Sequence, residues 1–431
     1  MKYLDYVAKS YIPSEDEVLV SFLVKPAEGF EIEEVAGAIA AESSTGTWTE
    51  LFPWYDQKRV ERLSAKVYEI QEFGDRWIVK ISYPLEFFES QNLPSFLASV
   101  AGNIFGMRRA AKLRLEDIRL PKGFLENYKG PFIGLEVKEI FGVDRPIVGT
   151  VPKPKVGYSA DEVESLAYDL LSAGLDFIKD DENLASPSFC KFEDRCRRIM
   201  KVIEKVEKET GEKKVWLANI TADVKEMEKR LKLVADYGNP YVMVDVVIVG
   251  WSSLTFIRDL VEDFGLAIHG HRAMHAAFTR YDHGISMFVL AKLYRILGID
   301  QLHIGTAGFG KLESAKDEAI QIAKMLRSEK FVPSDHVRFE QSFWNIRKGM
   351  PVSSGGLHPG VLPKVIETLG KDIVLQIGGG VLGHPDGPRS GAIAVRQAIE
   401  AIELGVDLEE FAKSHKELAR ALEKWGTKAK I

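Results

Sequence analysis

From about residue 145 onward, short apolar segments alternate with segments whose apolar residues recur at helical spacing. The apolar segments are rich in Val and Ile, which is typical of parallel strands that are covered on both faces. They follow one another at intervals of roughly 25 to 35 residues along the sequence. We predict strands at 146–155, 176–182, 214–221, 241–250, 267–274, 301–306, 351–356 and 373–380.

The segments between these strands are predicted to be amphipathic helices. The first begins with Ser159-Ala-Asp-Glu162, which is the sequence of a capping box. Further helices are predicted at 223–237, 284–297, 313–328 and 391–404. Eight strands that are each followed by a helix make a (β/α)₈ TIM barrel. A doubly wound sheet is the competing fold, and the even spacing of the eight repeats favours the barrel.

The first 125 residues do not show this regular alternation of strands and helices. Strands are predicted within 18–26 and 64–84, and helices at 31–41 and 93–105, which together indicate an α+β domain with an open mixed sheet. We therefore predict an α/β protein in which an N-terminal α+β domain (1–125) and a connector (126–144) precede the catalytic barrel (145–404). The charged segment 407–425 predicts a helical tail over 405–431.

The composition argues against a nucleic-acid-binding protein, a membrane protein and a disulfide-rich protein. The net charge of −6, without a block of Lys and Arg, argues against a nucleic-acid partner. No apolar run reaches 18 residues, and the first residues lack the apolar centre of a signal peptide, so we expect no membrane partner. The two cysteines, Cys190 and Cys196, are too few for a disulfide framework. We expect a cytoplasmic protein.

The segment Lys179-Asp-Asp-Glu182 joins an apolar strand to four charges. Side chains alternate along a strand, so Lys179 and Asp181 are predicted to point the same way, with Glu182 turned inward by the loop. Two carboxylates suit Mg²⁺. A buried lysine loses its proton readily, and a neutral amine can react with CO2 to give a carbamate, which would be a third anionic ligand. The alternative is a solvated strand end.

Residues at the carboxyl ends of barrel strands form the active site of barrel enzymes. The glycines that end the last two strands predict a phosphate site, because backbone N–H groups there can hold an anion. Arg272 and His303 predict a second anionic site, so the expected ligand is a sugar bisphosphate of about five carbons with a metal between its phosphates. The polar strand ends are Lys153-Pro-Lys155, His269-Gly-His271-Arg272, His303, Ser353-Ser-Gly-Gly356 and Gly378-Gly-Gly380.

The segment from Gly305 to Lys311 is rich in glycine and ends in a lysine. Loops of this composition close over substrates and exclude water, so Lys311 is a candidate lid residue. The alternative is a mobile surface loop.

With these motifs assembled, the chain resembles the large subunit of ribulose-1,5-bisphosphate carboxylase/oxygenase (Rubisco) over nearly its whole length. Three features resemble the archaeal form III branch: the segment Phe189-Cys-Lys-Phe-Glu-Asp, Val151 in place of an expected Thr, and a loop before Lys311 that is one residue longer than in plants. The motifs that carry the resemblance are Glu42-Ser-Ser-Thr-Gly-Thr47-Trp48, Gly102-Asn103-Ile-Phe-Gly, Lys-Pro-Lys, Asp-Phe-Ile-Lys-Asp-Asp-Glu, His-Arg-Ala-Met-His, Gly-Lys-Leu-Glu, Ser-Gly-Gly and Gly-Gly-Gly-Val-Leu-Gly-His-Pro.

The resemblance implies a role for each motif residue. Lys179, carbamylated by an activator CO2, would hold Mg²⁺ together with Asp181 and Glu182. Lys153 would be the acid/base that protonates the final carbanion, and Lys155 would support it through its charge. His271 would assist proton transfers during hydration, and Lys311 would orient the incoming CO2. Substrate binding would fall to Arg272, His303, Ser354, Gly355, Gly356, Gly378, Gly379, Glu42, Thr47, Trp48 and Asn103.

The resemblance also implies the reaction and the assembly. Ribulose 1,5-bisphosphate would be enolised, carboxylated by CO2 (or attacked by O2), hydrated and cleaved to two molecules of 3-phosphoglycerate, in salvage of nucleotide ribose. Glu42, Thr47, Trp48 and Asn103 would come from the neighbouring subunit of a homodimer, which would build a higher homo-oligomer without small subunits. Two alternatives are a Rubisco-like enolase or isomerase of a related sugar phosphate, and a barrel that binds sugar phosphates without catalysis.

Overall fold

A computed structural model describes residues 2–310 and 316–428. The chain forms two compact units. The N-terminal unit contains the residues up to Lys129 together with Met274–Ile296 and Ser328–Ile346. The barrel unit contains Gly130–Ala273, Leu297–Arg327 and the residues from Arg347 onward.

The strands are β1 (Val18–Pro26), β2 (Lys66–Phe73), β3 (Arg76–Tyr83), β4 (Ala110–Arg119), β5 (Ile147–Thr150), β6 (Phe177–Lys179), β7 (Val215–Asn219), β8 (Tyr241–Asp245), β9 (Ala267–His271), β10 (Gly284–Ile285), β11 (Gln301–His303), β12 (Lys330–Phe331), β13 (Gln341–Ser342), β14 (Met350–Ser354) and β15 (Val374–Gln376).

The helices are α1 (Ile32–Glu42), α2 (Gln57–Leu63), α3 (Leu93–Val100), α4 (Lys122–Leu125), α5 (Val137–Phe141), α6 (Ala160–Ser172), α7 (Phe192–Thr210), α8 (Val224–Asp236), α9 (Val246–Phe264), α10 (Ala276–Thr279), α11 (Met287–Leu297), α12 (Lys316–Arg327), α13 (Leu362–Leu369), α14 (Gly379–Leu382), α15 (Pro388–Glu403), α16 (Leu408–Ala412) and α17 (Lys416–Trp425). Short 3-10 turns lie at Tyr3–Tyr6, Leu85–Phe87, Asn103–Gly106, Gly134–Glu136 and Pro359–Val361.

The N-terminal unit is built on a five-stranded sheet in the order β10-β4-β1-β3-β2. Strand β10 pairs parallel with β4 and the other pairs are antiparallel, so the predicted mixed sheet is confirmed. The predicted strand at 18–26 has the bounds of β1, whose first seven residues are all buried. The predicted segment 64–84 divides into β2 and β3 at a turn where Gly74 has a φ of +63°. Strand β4 was not predicted.

A buried ion pair ties two distant segments of the N-terminal unit together. Asp117 on β4 and Lys292 on α11 contact each other through charged atoms that are wholly shielded from solvent. Asp117 also accepts hydrogen bonds from the backbone N–H groups of Phe339 (2.8 Å) and Ile118 (2.7 Å). The side chain of Gln341 bonds both backbone groups of Leu120, at 2.8 and 3.0 Å. Residues far apart in sequence therefore complete this unit.

The barrel unit contains a closed barrel of eight strands in the order β11-β14-β15-β5-β6-β7-β8-β9, which confirms the predicted fold. All of its strand pairs are parallel. The apolar strand residues that the sequence pattern predicts form one buried cluster of Ile147, Phe177, Val215, Leu217, Tyr241, Met243, Ala267, Met350, Val352 and Val374, closed by Val137 and Phe141 of α5.

Most strands are shorter than predicted, and one prediction is wrong in type. Strand β8 ends at Asp245, and Val246–Gly250, which we predicted as strand, belong to α9. A short apolar run does not distinguish a strand from a buried helix, so the pattern could not locate this boundary. Strand β5 ends at Thr150, so Lys153 and Lys155 lie on the following loop rather than on the strand.

The predicted capping box at the start of α6 is confirmed. Ser159 Oγ accepts from the Glu162 N–H at 3.2 Å, and the Glu162 carboxylate accepts from the Ser159 N–H at 2.8 Å. The predicted helix at 93–105 is shorter, because α3 ends at Val100. No helix in the part of the chain that the structure describes is both long enough and apolar enough to cross a membrane.

Candidate active site

Lys179 is the last residue of β6 and is almost fully buried. Its Nζ donates to the backbone carbonyl of Asp180 at 2.7 Å. Burial lowers the pKa of Lys179 to about 8, although the carboxylates of Asp245 and Glu182 oppose that shift. The amine is therefore neutral in a large fraction of molecules near pH 8, which a lysine in water is not.

The carboxylate of Asp180 is hydrogen-bonded to other residues of the barrel and is not available to a ligand. Its carboxylate accepts from the Arg195 guanidinium at 3.1 and 3.0 Å, from Trp216 Nε1 at 3.1 Å and from the Asn219 N–H at 3.1 Å. These four bonds use the acceptor sites of both oxygens. Asp180 therefore anchors the turn after β6, and Asp181 and Glu182 are the carboxylates left for a ligand.

The two lysines of the loop after β5 meet these two carboxylates. Lys153 contacts Asp181, which is nearly fully buried, and Lys155 contacts the half-buried Glu182. Burial by itself would raise the pKa of Glu182, but the hydrogen bonds that its carboxylate receives from Lys155 and from its own backbone N–H outweigh burial and lower it. The structure thus brings together Lys153, Lys155, Lys179, Asp181 and Glu182, which the sequence singled out.

The donor set fits Mg²⁺ only with a contribution from Lys179. Asp181 and Glu182 supply oxygen ligands, which Mg²⁺ prefers. Within residues 2–310 and 316–428, no three His, Cys, Asp or Glu side chains are arranged to hold a metal ion. A carbamate on the buried amine of Lys179 would add the missing anionic oxygens beside the two carboxylates.

His271 ends β9 opposite Asp245, the last residue of β8. Its Nδ1 lies 2.7 Å from the Asp245 carboxylate. Burial lowers the pKa of His271, the charge of Lys179 lowers it further, and Asp245 opposes both effects. The imidazole is therefore oriented through Nδ1, and Nε2 is the nitrogen available for proton transfer.

Both ring nitrogens of His303 are hydrogen-bonded to other side chains of the barrel. Nδ1 lies 2.7 Å from Ser354 Oγ, and Nε2 lies 2.8 Å from Nε2 of His269. Burial holds the pKa of both histidines well below the usual range, so both rings are neutral. Arg272, which follows β9, is half-buried.

The two glycine segments lie side by side, because Ser354 of β14 pairs with Gln376 of β15. Gly355 and Gly356 have φ values of +112° and +93°, which strain any residue with a Cβ. A Cβ on Gly379 would meet no atom within 4 Å, so this backbone borders open space. Among the described residues, the buried side-chain oxygens without a hydrogen-bond partner include those of Thr306, which lies just beyond the end of β11, and Gln376, which ends β15. The lining suits a ligand with several polar groups.

The remaining candidates belong to the N-terminal unit or fall outside the described residues. Glu42, Thr47, Trp48 and Asn103 belong to the N-terminal unit, where Glu42 accepts from the Tyr3 hydroxyl at 2.7 Å and Trp48 is 81% exposed. Lys311, the candidate lid residue, lies outside the described residues.

Sequence reasoning missed several residues that shape this site: Asp245, Arg195, Asn219 and Gln301. Asp245 is the one charge in the apolar run from Tyr241 to Trp251, and placing the strand end there would have identified it. Asn219 ends β7, and its amide donates to the backbone carbonyl of Asp181 at 3.2 Å. Arg195 carries no sequence signal, because α7 places it beside Asp180 only in the folded chain.

Two family models match almost the whole chain. The model of the ribulose bisphosphate carboxylase large chain N-terminal domain matches residues 5–124, and that of the catalytic domain matches residues 133–425. The ribulose bisphosphate carboxylase of Archaeoglobus fulgidus is 65% identical over 430 residues, which is 98% of each chain. That of Thermococcus kodakarensis is 61% identical over 428 residues, which is 98% of this chain and 96% of the relative.

Solved structures agree with the sequence matches. A crystal structure of an archaeal Rubisco superposes with a TM-score of 0.94 at 59% identity, over 98% of this chain and 99% of that one. A dimeric archaeal Rubisco from Hyperthermus butylicus gives 0.93 at 51% identity, over 99% of both chains. The octameric Rubisco of Pyrococcus horikoshii gives 0.92 at 47% identity, over 99% of this chain and 97% of that one. The predicted resemblance is confirmed, and the chain belongs to the ribulose bisphosphate carboxylase large chain family, alongside its archaeal members.

Proposed function

We propose that this protein is a Mg²⁺-dependent ribulose-1,5-bisphosphate carboxylase, with oxygenase activity towards O2. It would enolise the sugar bisphosphate, add CO2, hydrate the product and cleave it to two molecules of 3-phosphoglycerate. The observation that carries the proposal is the buried, readily deprotonated Lys179 beside Asp181 and Glu182, with Lys153 and Lys155 in contact with those carboxylates.

Lys179 would form the carbamate with an activator CO2. Its depressed pKa favours the neutral amine, which is the form that attacks CO2. Asp181, Glu182 and the carbamate would then hold Mg²⁺, which would supply electrostatic stabilisation of the negative charge that develops on the substrate. Asp180 would keep the turn in place through Arg195, and Asn219 would do so through the Asp181 carbonyl.

Two side chains would move protons, and a third would support one of them. Lys153 is half-buried and would protonate the carbanion that cleavage leaves, while the more exposed Lys155 would support it through its charge. His271, held through Nδ1 by Asp245, would assist hydration at Nε2. A positioned acid or base of this kind contributes on the order of 10²–10⁴-fold to the rate.

The polar lining would bind the two phosphates and the hydroxyls between them. Arg272 would bind the phosphate at one end, and Ser354 together with His303 behind it would serve the neighbouring sugar hydroxyls. Gly355, Gly356, Gly378 and Gly379 would serve the other end through backbone N–H groups. Glu42, Thr47, Trp48 and Asn103 would reach the site from the neighbouring subunit, and Lys311 would close it as part of the lid. That sharing would make 1–125 a domain which completes its neighbour's site, next to the barrel domain 145–404 of the same chain.

The assembly would be a homodimer or a larger homo-oligomer without small subunits, since archaeal relatives are described as dimeric and octameric. The similarity to archaeal members supports the form III type. For a protein of that type we propose a role in salvage of nucleotide ribose, in the cytoplasm.

The test is carboxylation of ribulose 1,5-bisphosphate after incubation with labelled CO2 and Mg²⁺. Label should appear in 3-phosphoglycerate, and both Lys179→Ala and Lys311→Ala should abolish it. Lys225→Ala is the matched control, because Lys225 is an exposed lysine on α8, and it should retain full activity. Consumption of a related sugar phosphate without label in the product would favour the enolase alternative. Binding without any turnover would favour a non-catalytic barrel.

A further inference from the structure

Five side chains form a continuous hydrogen-bonded row through the barrel interior. Ser354 Oγ meets Nδ1 of His303 at 2.7 Å, and Nε2 of His303 meets Nε2 of His269 at 2.8 Å. Nδ1 of His269 meets Oε1 of Gln301 at 2.8 Å, and Nε2 of Gln301 donates to the Tyr241 hydroxyl at 2.8 Å. All but Ser354 are buried, and His269, Gln301 and Tyr241 have no role in the chemistry described above.

Strand register builds this row. Gln301 of β11 pairs with His269 of β9, so the two side chains are neighbours on adjacent strands. His303 is two residues beyond Gln301 on the same strand and therefore faces the same way. The neighbouring strand β8 supplies Tyr241 as its first residue. All of these residues lie on barrel strands, so the row beneath Ser354 is formed without any loop residue.

The direction of every hydrogen in the row follows from Gln301. Its amide nitrogen faces Tyr241, so its carbonyl oxygen faces His269, and a carbonyl oxygen can only accept. Nδ1 of His269 must then carry the hydrogen. Because the ring is neutral, its Nε2 is bare and accepts from Nε2–H of His303. His303 is neutral as well, so its Nδ1 is bare and accepts the hydroxyl hydrogen of Ser354.

We propose that His269 and Gln301 are positioning residues that fix the tautomer of His303, so that Ser354 donates inward and offers only lone pairs to the ligand. A Ser354 oxygen of this kind recognises a group that donates a hydrogen bond, such as a sugar hydroxyl, and not a bare phosphate oxygen. The identity of that ligand rests on the proposed function, whereas the tautomers themselves do not.

Neutron diffraction from crystals grown in D2O tests the tautomers directly. Deuterium is expected on Nδ1 of His269 and on Nε2 of His303, with Nδ1 of His303 bare. Deuterium on Nδ1 of His303 and Nε2 of His269 would mean that the Gln301 amide is reversed, and would overturn the proposal. This measurement needs no turnover, so it stands or falls apart from the carboxylase activity.

Two replacements of His269 test the consequence for binding. His269→Leu removes the acceptor for His303, while His269→Gln keeps an acceptor oxygen of similar reach. Loss of one oriented hydrogen bond to substrate should raise KM for ribulose 1,5-bisphosphate about tenfold in His269→Leu, with a smaller effect on kcat. His269→Gln should restore KM to within a few-fold of wild type. An unchanged KM in His269→Leu, or equal losses in both variants, would show that His269 does not act through the tautomer of His303.

Discussion

Lys179→Met should make the folded protein more stable while removing its activity. The pKa of Lys179 falls from 10.5 to about 8 because the amine is buried. Each pKa unit is worth about 1.4 kcal/mol, so at pH 7 the buried ammonium lowers the free energy of unfolding by about 3 kcal/mol. Methionine has similar length and no charge, so it removes that cost. Loss of the hydrogen bond from Lys179 to the Asp180 carbonyl should lower the free energy of unfolding by about 1 kcal/mol, so the net increase is roughly 2 kcal/mol.

The sign of the pH dependence follows from the lowered pKa. Between about pH 8 and pH 10.5 the unfolded chain binds more protons at Lys179 than the folded chain, so wild-type stability rises with pH in that window. The cost of the ammonium is fully present below pH 8 and shrinks to below about 1 kcal/mol by pH 10. The advantage of Lys179→Met should therefore disappear between pH 7 and pH 10.

The assay is denaturant unfolding in buffer free of CO2 and metal, at pH 7 and at pH 10. Lys225→Met, an exposed lysine, serves as the matched control and should change stability by less than about 0.5 kcal/mol at either pH. Added CO2 should stabilise the wild type and not Lys179→Met, because only the amine binds it. A stability difference that is the same at both pH values would refute the assignment of a lowered pKa to Lys179.

Three further predictions concern other parts of the structure. Asp180→Asn leaves the buried Arg195 without its charge partner and should destabilise the barrel by about 3–5 kcal/mol in denaturant unfolding; an unchanged midpoint would show that the pair does not anchor the turn. Lys292→Met should destabilise the N-terminal unit by a similar amount, and adding Asp117→Asn should recover part of the loss, as a double-mutant cycle would measure. Ser159→Ala should cost about 0.5–2 kcal/mol through the lost cap of α6, whereas Ser165→Ala on the same helix should cost less.

The sequence predicted the barrel because its strands are apolar, evenly spaced and covered on both faces. It also predicted polar side chains at the ends of these strands, and Lys179, His271 and His303 are the last residues of β6, β9 and β11. The rule failed at β8, since Val246 and its neighbours are apolar whether they form strand or helix. Asp245 was then placed in mid-strand, and its contact with His271 was not foreseen.

Contacts between distant residues set the limit of sequence reasoning here. Arg195 lies on the outer helix α7, and only folding brings it to Asp180. Gln301 resembles any polar residue at the start of a strand, although it orients His269 in the folded barrel. Periodicity reports which face of an element is buried, but it does not report which partners meet on that face.

The composition of the N-terminal unit has a consequence for how the chain folds during synthesis. Strand β4 ends at Arg119, yet its edge partner β10 and the partners of Asp117 lie as far along as Phe339. A ribosome adding 5–20 residues per second needs roughly 10 to 45 s to make the residues between Arg119 and Ile346, where this unit ends. Until β10 has been made, the nascent chain presents an unpaired edge of β4, and until Phe339 has been made, the Asp117 carboxylate, which is buried in the folded unit, lacks that partner. Expression at low temperature, or with a chaperone that covers the emerging sheet, should therefore raise the yield of folded protein more than stabilising the barrel would.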